Sequence, residues 1–232
     1  MSRKLQDHFF KDAKAAGYLA RSAYKLLEIQ QRHKIITPGM HVLDLGCSPG
    51  AWLQVACQAL GPPHRKGCVI GIDLQEVKLP LRHCDGRVQA LQMDAMQLTA
   101  ADLRQAKAAA GQCSTLDRFH VVLSDMCHST LGVAAADVAR SLQLARCAAS
   151  IAIGQSALEE DEDSQEDEGG LPEQGLLLPE GHLVAKLLQG EGSEELAKDM
   201  RKHFKKVAWM QPKATRSESR EMYLVALGRK AM

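Results

Sequence analysis

The sequence has no long hydrophobic run, and this absence excludes one class of protein at once. No stretch approaches the roughly 18 uninterrupted apolar residues of a membrane-spanning helix, so we expect no membrane partner. The first residues, MSRKLQDHFFKDAK, contain no apolar signal core, and no targeting segment is evident in them. Hydrophobic residues make up 45% and charged residues 25% of the chain, which is typical of a soluble globular protein.

Paired cysteines and metal-binding patterns are also missing. The seven cysteines are scattered singly, with no C-x-x-C pair and no Cys/His spacing of the kind that binds zinc. An odd and dispersed set of cysteines indicates reduced thiols in a reducing compartment rather than a disulfide framework. We therefore expect no metal.

The nearly neutral net charge of +1 conceals two basic ends. Residues 159–173, EEDEDSQEDEGGLPE, hold nine carboxylates and no Lys or Arg, and without them 29 basic residues face 19 acidic ones. The excess lies in residues 1–34, with eight Lys/Arg against three acids, and in residues 198–232, with ten against three. Two basic ends favour a polyanion partner such as nucleic acid, although basic surfaces also serve solubility.

Alternating strand and helix patterns predict the fold class. Apolar runs of strand length fall at 40–45, 67–74, 87–94, 119–126 and 181–189. Helical patterns fall at 17–33, 50–60, 99–110, 133–153 and 193–204. This alternation predicts an α/β fold with a largely parallel sheet and helices on both faces. Two final strands at 206–212 and 221–228 have no helix between them, so we expect an antiparallel edge pair.

The length of 232 residues suits one large α/β domain. We expect a single domain over 1–232, with a basic helical region at 1–35. An acidic insertion at about 157–175 is dense in like charge and poor in apolar residues, so we expect it to be a disordered loop.

The stretch VLDLGCSPGAWLQ, residues 42–54, is the first sign of a binding site. A strand breaks into a glycine turn, and a helix follows. Gly46 and Gly50 allow a ligand to approach the backbone, and the helix N-terminus offers free N–H groups. The pattern is neither G-x-G-x-x-G nor the phosphate loop G-x-x-x-x-G-K-[ST]. Without a phosphate-loop lysine ATP is disfavoured, and S-adenosylmethionine fits better.

Polar residues fall at the ends of consecutive strands: Asp44, Asp73, Asp94, Asp125 and Lys186. The carboxyl ends of parallel strands form one rim, which is where ligands bind in such sheets. Asp73, at the end of the second strand, is suited to accept hydrogen bonds from ribose hydroxyls, and Asp94 from an adenine amino group. The alternative for each is a capped turn at a strand end, where Asp is common.

Six separated blocks place the sequence beside a known family. The blocks are RSAYKLLEIQ, VLDLGCSPGAWLQVA, GIDL, LSDM, VAKLLQGEG and TRSESREMYLVALGRK. With them the chain resembles the FtsJ/RrmJ-type ribose 2′-O-methyltransferases, from about Asp7 to Lys230. The resemblance implies a Rossmann-like S-adenosylmethionine-dependent methyltransferase fold and methylation of an RNA ribose, most often a uridine of large-subunit ribosomal RNA. Ribosomal RNA or a ribosomal subunit is thus the expected partner, and we favour a monomer.

The resemblance also implies roles for individual residues. The Lys-Asp-Lys-Glu tetrad of these enzymes corresponds to Lys25, Asp125, Lys186 and Glu221. Their cofactor contacts correspond to Gly50, Trp52, Asp73, Asp94 and Asp125, beside the turn at Gly46. For Lys25 the alternative is a phosphate contact, and for Trp52 it is helix packing.

One segment departs from the family. After Asp125 the family usually has Ala-Pro, whereas this chain has Cys127-His128-Ser129. The exact substrate is therefore open. His128 is either a catalytic helper or, more simply, a residue of the pocket wall.

The chemistry of a ribose 2′-OH defines what the tetrad must do. The hydroxyl is a poor nucleophile until its proton leaves, so the enzyme needs alignment and a base. Lys186 serves as a base only when neutral, so we expect burial and the charge of Lys25 to lower its pKa from about 10.4 towards 7. Asp125 opposes that shift and mainly orients the amine. Glu221 pairs with Lys25.

Two other functions stay open at this point. One is a transfer RNA anticodon-loop 2′-O-methyltransferase, although Ser-Asp-Met is closer to the ribosomal branch than Ser-Asp-Gly would be. The other is a non-catalytic RNA-binding ribosome assembly factor, which the complete tetrad disfavours. The acidic insertion suggests an organellar member, in a mitochondrion or plastid, with the cytoplasm as the alternative.

Overall fold

A seven-stranded sheet with the order β3-β2-β1-β4-β5-β7-β6 is the frame of the molecule. The computed structural model describes residues 2–80, 82–111, 118–128, 132–154, 172–216 and 219–231. The strands are β1 (His41–Leu45), β2 (Cys68–Asp73), β3 (Val88–Gln92), β4 (Phe119–Ser124), β5 (Leu177–Leu188), β6 (Phe204–Met210) and β7 (Glu221–Arg229). Strands β1 to β5 pair in parallel, and β7 lies antiparallel between β5 and β6. The predicted mostly parallel sheet with an antiparallel edge is confirmed.

The described residues also form six α-helices, two before β1 and four between strands. They are α1 (Ser2–Ala16), α2 (Ala23–His33), α3 (Ala51–Ala59), α4 (Ala100–Ala109), α5 (Ala134–Ile153) and α6 (Ser193–His203). No helix in this part of the chain is long and apolar enough to cross a membrane.

Helices cover both faces of the sheet. Because successive strand residues point to opposite sides, each strand contributes side chains to the core on either face. Leu43 and Leu45 of β1 belong to the core that contains residues of α4, α5 and α6. Val42 belongs to the other core, with Leu26 of α2 and Leu53 of α3. Each face of β1 is therefore buried, as the continuous apolar run predicts.

The predicted helix at 17–33 is wrong in its first part. Helix α2 begins only at Ala23, and residues 17–22, the 17–22 linker, are not helical. Gly17 has φ +85°, in the left-handed region, and a Cβ there would lie 2.3 Å from Cδ of Arg82. The apolar spacing continues through the linker, but tertiary contacts determine its backbone.

The other predicted elements agree with the structure to within about two residues, except that β5 begins at Leu177 rather than at Gly181. The predicted acidic loop at about 157–175 lies outside the described residues as far as residue 171. The buried Arg229 donates hydrogen bonds to the carbonyl oxygen of Ile153, which lies before that gap, and to that of Gln174, which lies after it. The ends of the insertion are thus held beside the last strand.

Candidate active site

An ion pair joins helix α2 to the first residue of β7. Nζ of Lys25 lies 2.8 Å from both carboxylate oxygens of Glu221. Only 7% of Lys25 is exposed, so the pair is shielded from solvent. The sequence predicts this pairing, and the structure brings together the two residues across 196 positions of chain.

The register of β4 and β5 brings the other two tetrad residues together. Ser124 pairs with Ala185 in the parallel ladder, so Asp125 and Lys186 follow side by side. Nζ of Lys186 lies 3.0 Å from Oδ1 of Asp125 and 2.6 Å from its carbonyl oxygen. It also lies 3.8 Å from Oε1 of Glu221, which links the two halves into one cluster.

Tyr223 belongs to this cluster, and the sequence reasoning missed it. Its hydroxyl donates a 2.9 Å hydrogen bond to Oδ1 of Asp125. It pairs with Lys186 in the antiparallel ladder of β5 and β7, and its ring centroid is 5.9 Å from Nζ of Lys25. The strand period could have found it, because Glu221 and Tyr223 are two residues apart and share a face.

The expected lowering of the Lys186 pKa is wrong for the ligand-free protein. Burial does lower this pKa, but the negative charges of Asp125 and Glu221 and the hydrogen bond to Asp125 outweigh it, so the pKa lies above the ordinary 10.5. The amine is therefore an ammonium group at neutral pH. The attraction of two carboxylates within 4 Å exceeds the cost of burying one cation.

A cavity of about 750 Å³ opens beside the tetrad and is large enough for a nucleotide. Lys25, Lys186 and Glu221 line it together with Arg21 and Arg216. The two arginines give it positive charge that suits phosphate groups.

The segment that departs from the family pattern lines the same cavity. Cys127 is exposed, and a ring nitrogen of His128 lies 3.0 Å from the carbonyl oxygen of Asp137, a residue of α5. His128 thus stands in the wall of the cavity, as the simpler interpretation predicts. This contact does not test a catalytic role.

The glycine turn closes tightly against the next strand end. The N–H of Gly46 donates to the carbonyl oxygen of Ile72 at 2.8 Å. A Cβ at residue 46, where φ is +76°, would lie 2.7 Å from Cα of Met126, so only glycine fits without displacing backbone. Gly50 has φ +109° and precedes the first turn of α3. The backbone N–H groups of that first turn have no partner within the helix.

Asp73 connects this turn to the end of β2. One of its carboxylate oxygens accepts from the N–H of Ser48 and the other from the N–H of Gln75, both at 2.9 Å. A carboxylate offers about four lone-pair positions, so each oxygen keeps one for a further donor. The residue is a turn cap and can still bind a diol.

The other predicted cofactor residues differ in how open they are. Asp94 caps the short 3₁₀ turn that follows β3, accepting from the N–H of Met96 at 3.0 Å. The Trp52 side chain is 2% exposed and its indole N–H donates to the carbonyl oxygen of Ser22 at 2.9 Å. The Trp52 side chain therefore packs, as the alternative interpretation has it, and its backbone N–H lies in the first turn of α3.

Asp44 is the strand-end aspartate that stands apart. It is fully buried, and neither carboxylate oxygen has a hydrogen-bond partner among the described residues. Burial, with Asp125 and Asp73 adding to it, raises its pKa well above the usual range. An unpaired polar group beside the glycine turn is consistent with a site that is completed by a ligand.

A mostly parallel sheet that carries a glycine turn, strand-end aspartates and a Lys-Asp-Lys-Glu cluster on one rim defines a Rossmann-like methyltransferase. The model of the FtsJ-like methyltransferase family matches residues 18–229, and this chain belongs to that family.

Relatives and a solved structure agree with this assignment. The chain is 36% identical over 226 residues to the ribosomal RNA large subunit methyltransferase E of Desulfatibacillum aliphaticivorans, covering 97% of this chain and 91% of the relative. The protein of that name from Syntrophobacter fumaroxidans is 38% identical, with 98% of each chain covered. A Plasmodium falciparum structure described as a ribosomal RNA methyltransferase has a TM-score of 0.67 at 20% identity, over 93% of this chain and all of that one. This last similarity concerns the fold.

Proposed function

We propose that this protein is an S-adenosylmethionine-dependent RNA ribose 2′-O-methyltransferase that acts on a uridine of large-subunit ribosomal RNA. The observation that carries the proposal is the unbroken cluster from Lys25 through Glu221 and Lys186 to Asp125, beside a cavity of nucleotide size. The names of the bacterial relatives support ribosomal RNA as the substrate.

The residues of the rim fit the cofactor. We expect Asp73 to accept from the ribose hydroxyls and Asp94 from the adenine amino group, and the turn at Gly46 and Gly50 and the first N–H groups of α3 lie at the same edge. When bound, S-adenosylmethionine supplies a methyl group already activated by its sulfonium. No residue of the chain needs to activate it further.

The tetrad then handles the proton of the ribose hydroxyl. Lys186 is the proposed acceptor of that proton, Asp125 orients the amine, and the Lys25–Glu221 pair holds the cluster together. Lys186 is an ammonium group in the ligand-free protein, so it must lose a proton before it acts. A second positive charge near Lys186, such as that of the cofactor's sulfonium, lowers the Lys186 pKa, because it disfavours the charged form of the amine.

Transfer of a tritiated methyl group from S-adenosylmethionine tests this function. The substrates are unmodified large-subunit ribosomal RNA, ribosomal subunits and transfer RNA, and the methylated nucleotide is mapped afterwards. We expect label on a ribose 2′-oxygen of a uridine in the large-subunit RNA. Lys186→Ala should slow this labelling by about 10²–10⁴, whereas Lys205→Ala, which changes an exposed lysine of β6, should not.

Two results would contradict the proposal. Label on transfer RNA alone would favour the anticodon-loop alternative. Absence of label from every RNA, with a folded protein that binds the cofactor, would favour the non-catalytic assembly factor. The bacterial relatives do not bear out an organellar member, and the compartment stays a prediction, as do the expectations of one domain, no metal and a monomer.

A further inference from the structure

A buried glutamine on α3 holds two neighbouring loops. Gln54 is fully buried, and its Oε1 accepts from the N–H of Leu19 at 2.9 Å. Its Nε2 donates to the carbonyl oxygens of Gly17 at 3.0 Å and Arg82 at 2.8 Å. Both amide protons and the amide oxygen are thus used on backbone groups.

The partners of Gln54 lie in segments that lead directly to the site. Gly17 and Leu19 belong to the 17–22 linker, which continues into α2 and Lys25. Arg82 belongs to the β2–β3 loop that follows Asp73. Helix α3 itself begins at the glycine turn.

Neighbouring side chains of α3 hold the same two segments. The Trp52 indole N–H donates to the carbonyl oxygen of Ser22, at the end of the linker. One turn beyond Gln54, Oε1 of Gln58 accepts from the Tyr18 hydroxyl at 2.8 Å, and its Nε2 lies 2.9 Å from Nδ1 of His83. The linker is therefore bound to α3 along its length.

We propose that Gln54 is a positioning residue for methyl transfer. By binding the 17–22 linker to α3, it sets the position of Lys25 relative to the turn that binds the cofactor. The inference rests on the proposed function, because it uses the roles assigned there to Lys25 and to the turn. Gln54 acts through these two segments, because its three hydrogen bonds are all to backbone groups of the linker and of the β2–β3 loop.

Gln54→Leu tests this role, because leucine has a similar volume and makes none of the three hydrogen bonds. The matched control is Gln30→Leu. Gln30 of α2 bridges the backbone N–H and carbonyl of Ile36 at 2.9 and 2.6 Å, so it also binds backbone groups through its amide, but in the connection before the amino end of β1. Single-turnover methylation is measured at saturating RNA and S-adenosylmethionine, with cofactor Kd by calorimetry and folding by circular dichroism.

We expect Gln54→Leu to lower the single-turnover rate by about tenfold or more, since small misplacements of reacting groups have large effects on rate. Cofactor Kd should stay within about threefold, because the groups that bind it are retained. Gln30→Leu should lose stability but keep its rate within about twofold. This split between stability and rate separates positioning from a merely structural role.

Gln54→Glu is a second, milder variant that tests the same role if Gln54→Leu does not fold. A buried carboxyl there takes up a proton, accepts from Leu19 and donates to only one of the two carbonyls, so its rate should fall between wild type and Gln54→Leu, by about threefold. A folded Gln54 variant with wild-type rate, or a Gln30→Leu variant that loses as much rate as Gln54→Leu, overturns the inference. The proposed function fails separately, when the wild-type protein transfers no label to large-subunit ribosomal RNA.

Discussion

Asp125 binds the amine of Lys186 with two different oxygens, at 3.0 Å through its carboxylate and at 2.6 Å through its backbone carbonyl. The backbone contact fixes the amine even if the carboxylate moves. Two contacts from one residue are what we expect for an amine that must be held in position to accept a proton.

Lys186→Arg should be nearly as inactive as Lys186→Ala. Both should lower the single-turnover rate by about 10²–10⁴, the usual share of general-base catalysis. Arginine keeps the positive charge, but a guanidinium does not lose its proton near neutral pH. If Lys186→Arg instead reacts at close to the wild-type rate, residue 186 acts as a fixed charge and not as a base.

The dependence of the rate on pH should report the same amine. In the free protein Asp125 and Glu221 hold the Lys186 pKa above 10.5, so kcat/KM should rise with pH into the alkaline range. The pH profile of kcat reports the complex with RNA and S-adenosylmethionine. In that complex the positive charge of the cofactor lowers the Lys186 pKa, so kcat should rise at lower pH than kcat/KM does. Identical midpoints in both profiles would show that ligand binding does not change the Lys186 pKa.

Tyr223→Phe should slow methylation without unfolding the protein. The hydroxyl donates to Oδ1 of Asp125, the same oxygen that binds Lys186, and a hydrogen bond to a charged group contributes about 1.5–3 kcal/mol. We expect a rate about tenfold lower, which corresponds to about 1.4 kcal/mol. The control is Tyr24→Phe, because it removes the same hydroxyl from a tyrosine whose ring packs against Tyr18. Equal rates for the two variants would remove Tyr223 from the site.

Asp73→Ala should weaken S-adenosylmethionine binding by about 1.5–3 kcal/mol, because a charged acceptor for the ribose hydroxyls is lost. RNA affinity should hardly change. Calorimetry with the folded variant measures the first quantity and filter binding the second. Asp199→Ala, whose carboxylate pairs with Lys202 on α6, is the control. Normal cofactor affinity in Asp73→Ala would mean that the cofactor binds elsewhere.

Stability should fall as the pH drops below about 6.5. Nδ1 of His120 accepts from the N–H of His41, and Nδ1 of His182 from the N–H of Gly228, which requires neutral rings. Burial lowers the pKa of all three histidines, that of His41 to about 4. Below 6.5 the unfolded chain therefore binds protons that the folded chain does not, and the free energy of unfolding decreases.

Urea unfolding at pH 7.5 and 5.0 measures this decrease. His120→Asn offers a neutral acceptor at every pH and should show a smaller decrease than wild type. The exposed His64 provides a control, and His64→Asn should behave as wild type does. The same decrease in His120→Asn and wild type would exclude His120 as a contributor.

The sheet and its functional rim could be read from the sequence because they depend on local pattern and chain order. Continuous apolar runs separated by helices predict parallel strands, and the carboxyl ends of parallel strands meet at one edge. Asp125 and Lys186 follow adjacent strands and therefore lie together. The tetrad itself was recognisable from the family motifs around its four members.

Other features depend on contacts between distant segments, so only the tertiary structure decided them. Helix α2 begins at Ala23 because α3 binds the linker before it. The sequence of residues 17–22 does not indicate that Gln54 binds their backbone. The Lys186 pKa depends on whether burial or nearby charge is stronger, which is a matter of a few ångströms. Sequence determined which residues would meet at the rim, whereas distances across the sheet determined that Tyr223 joins them and that Lys186 carries its proton.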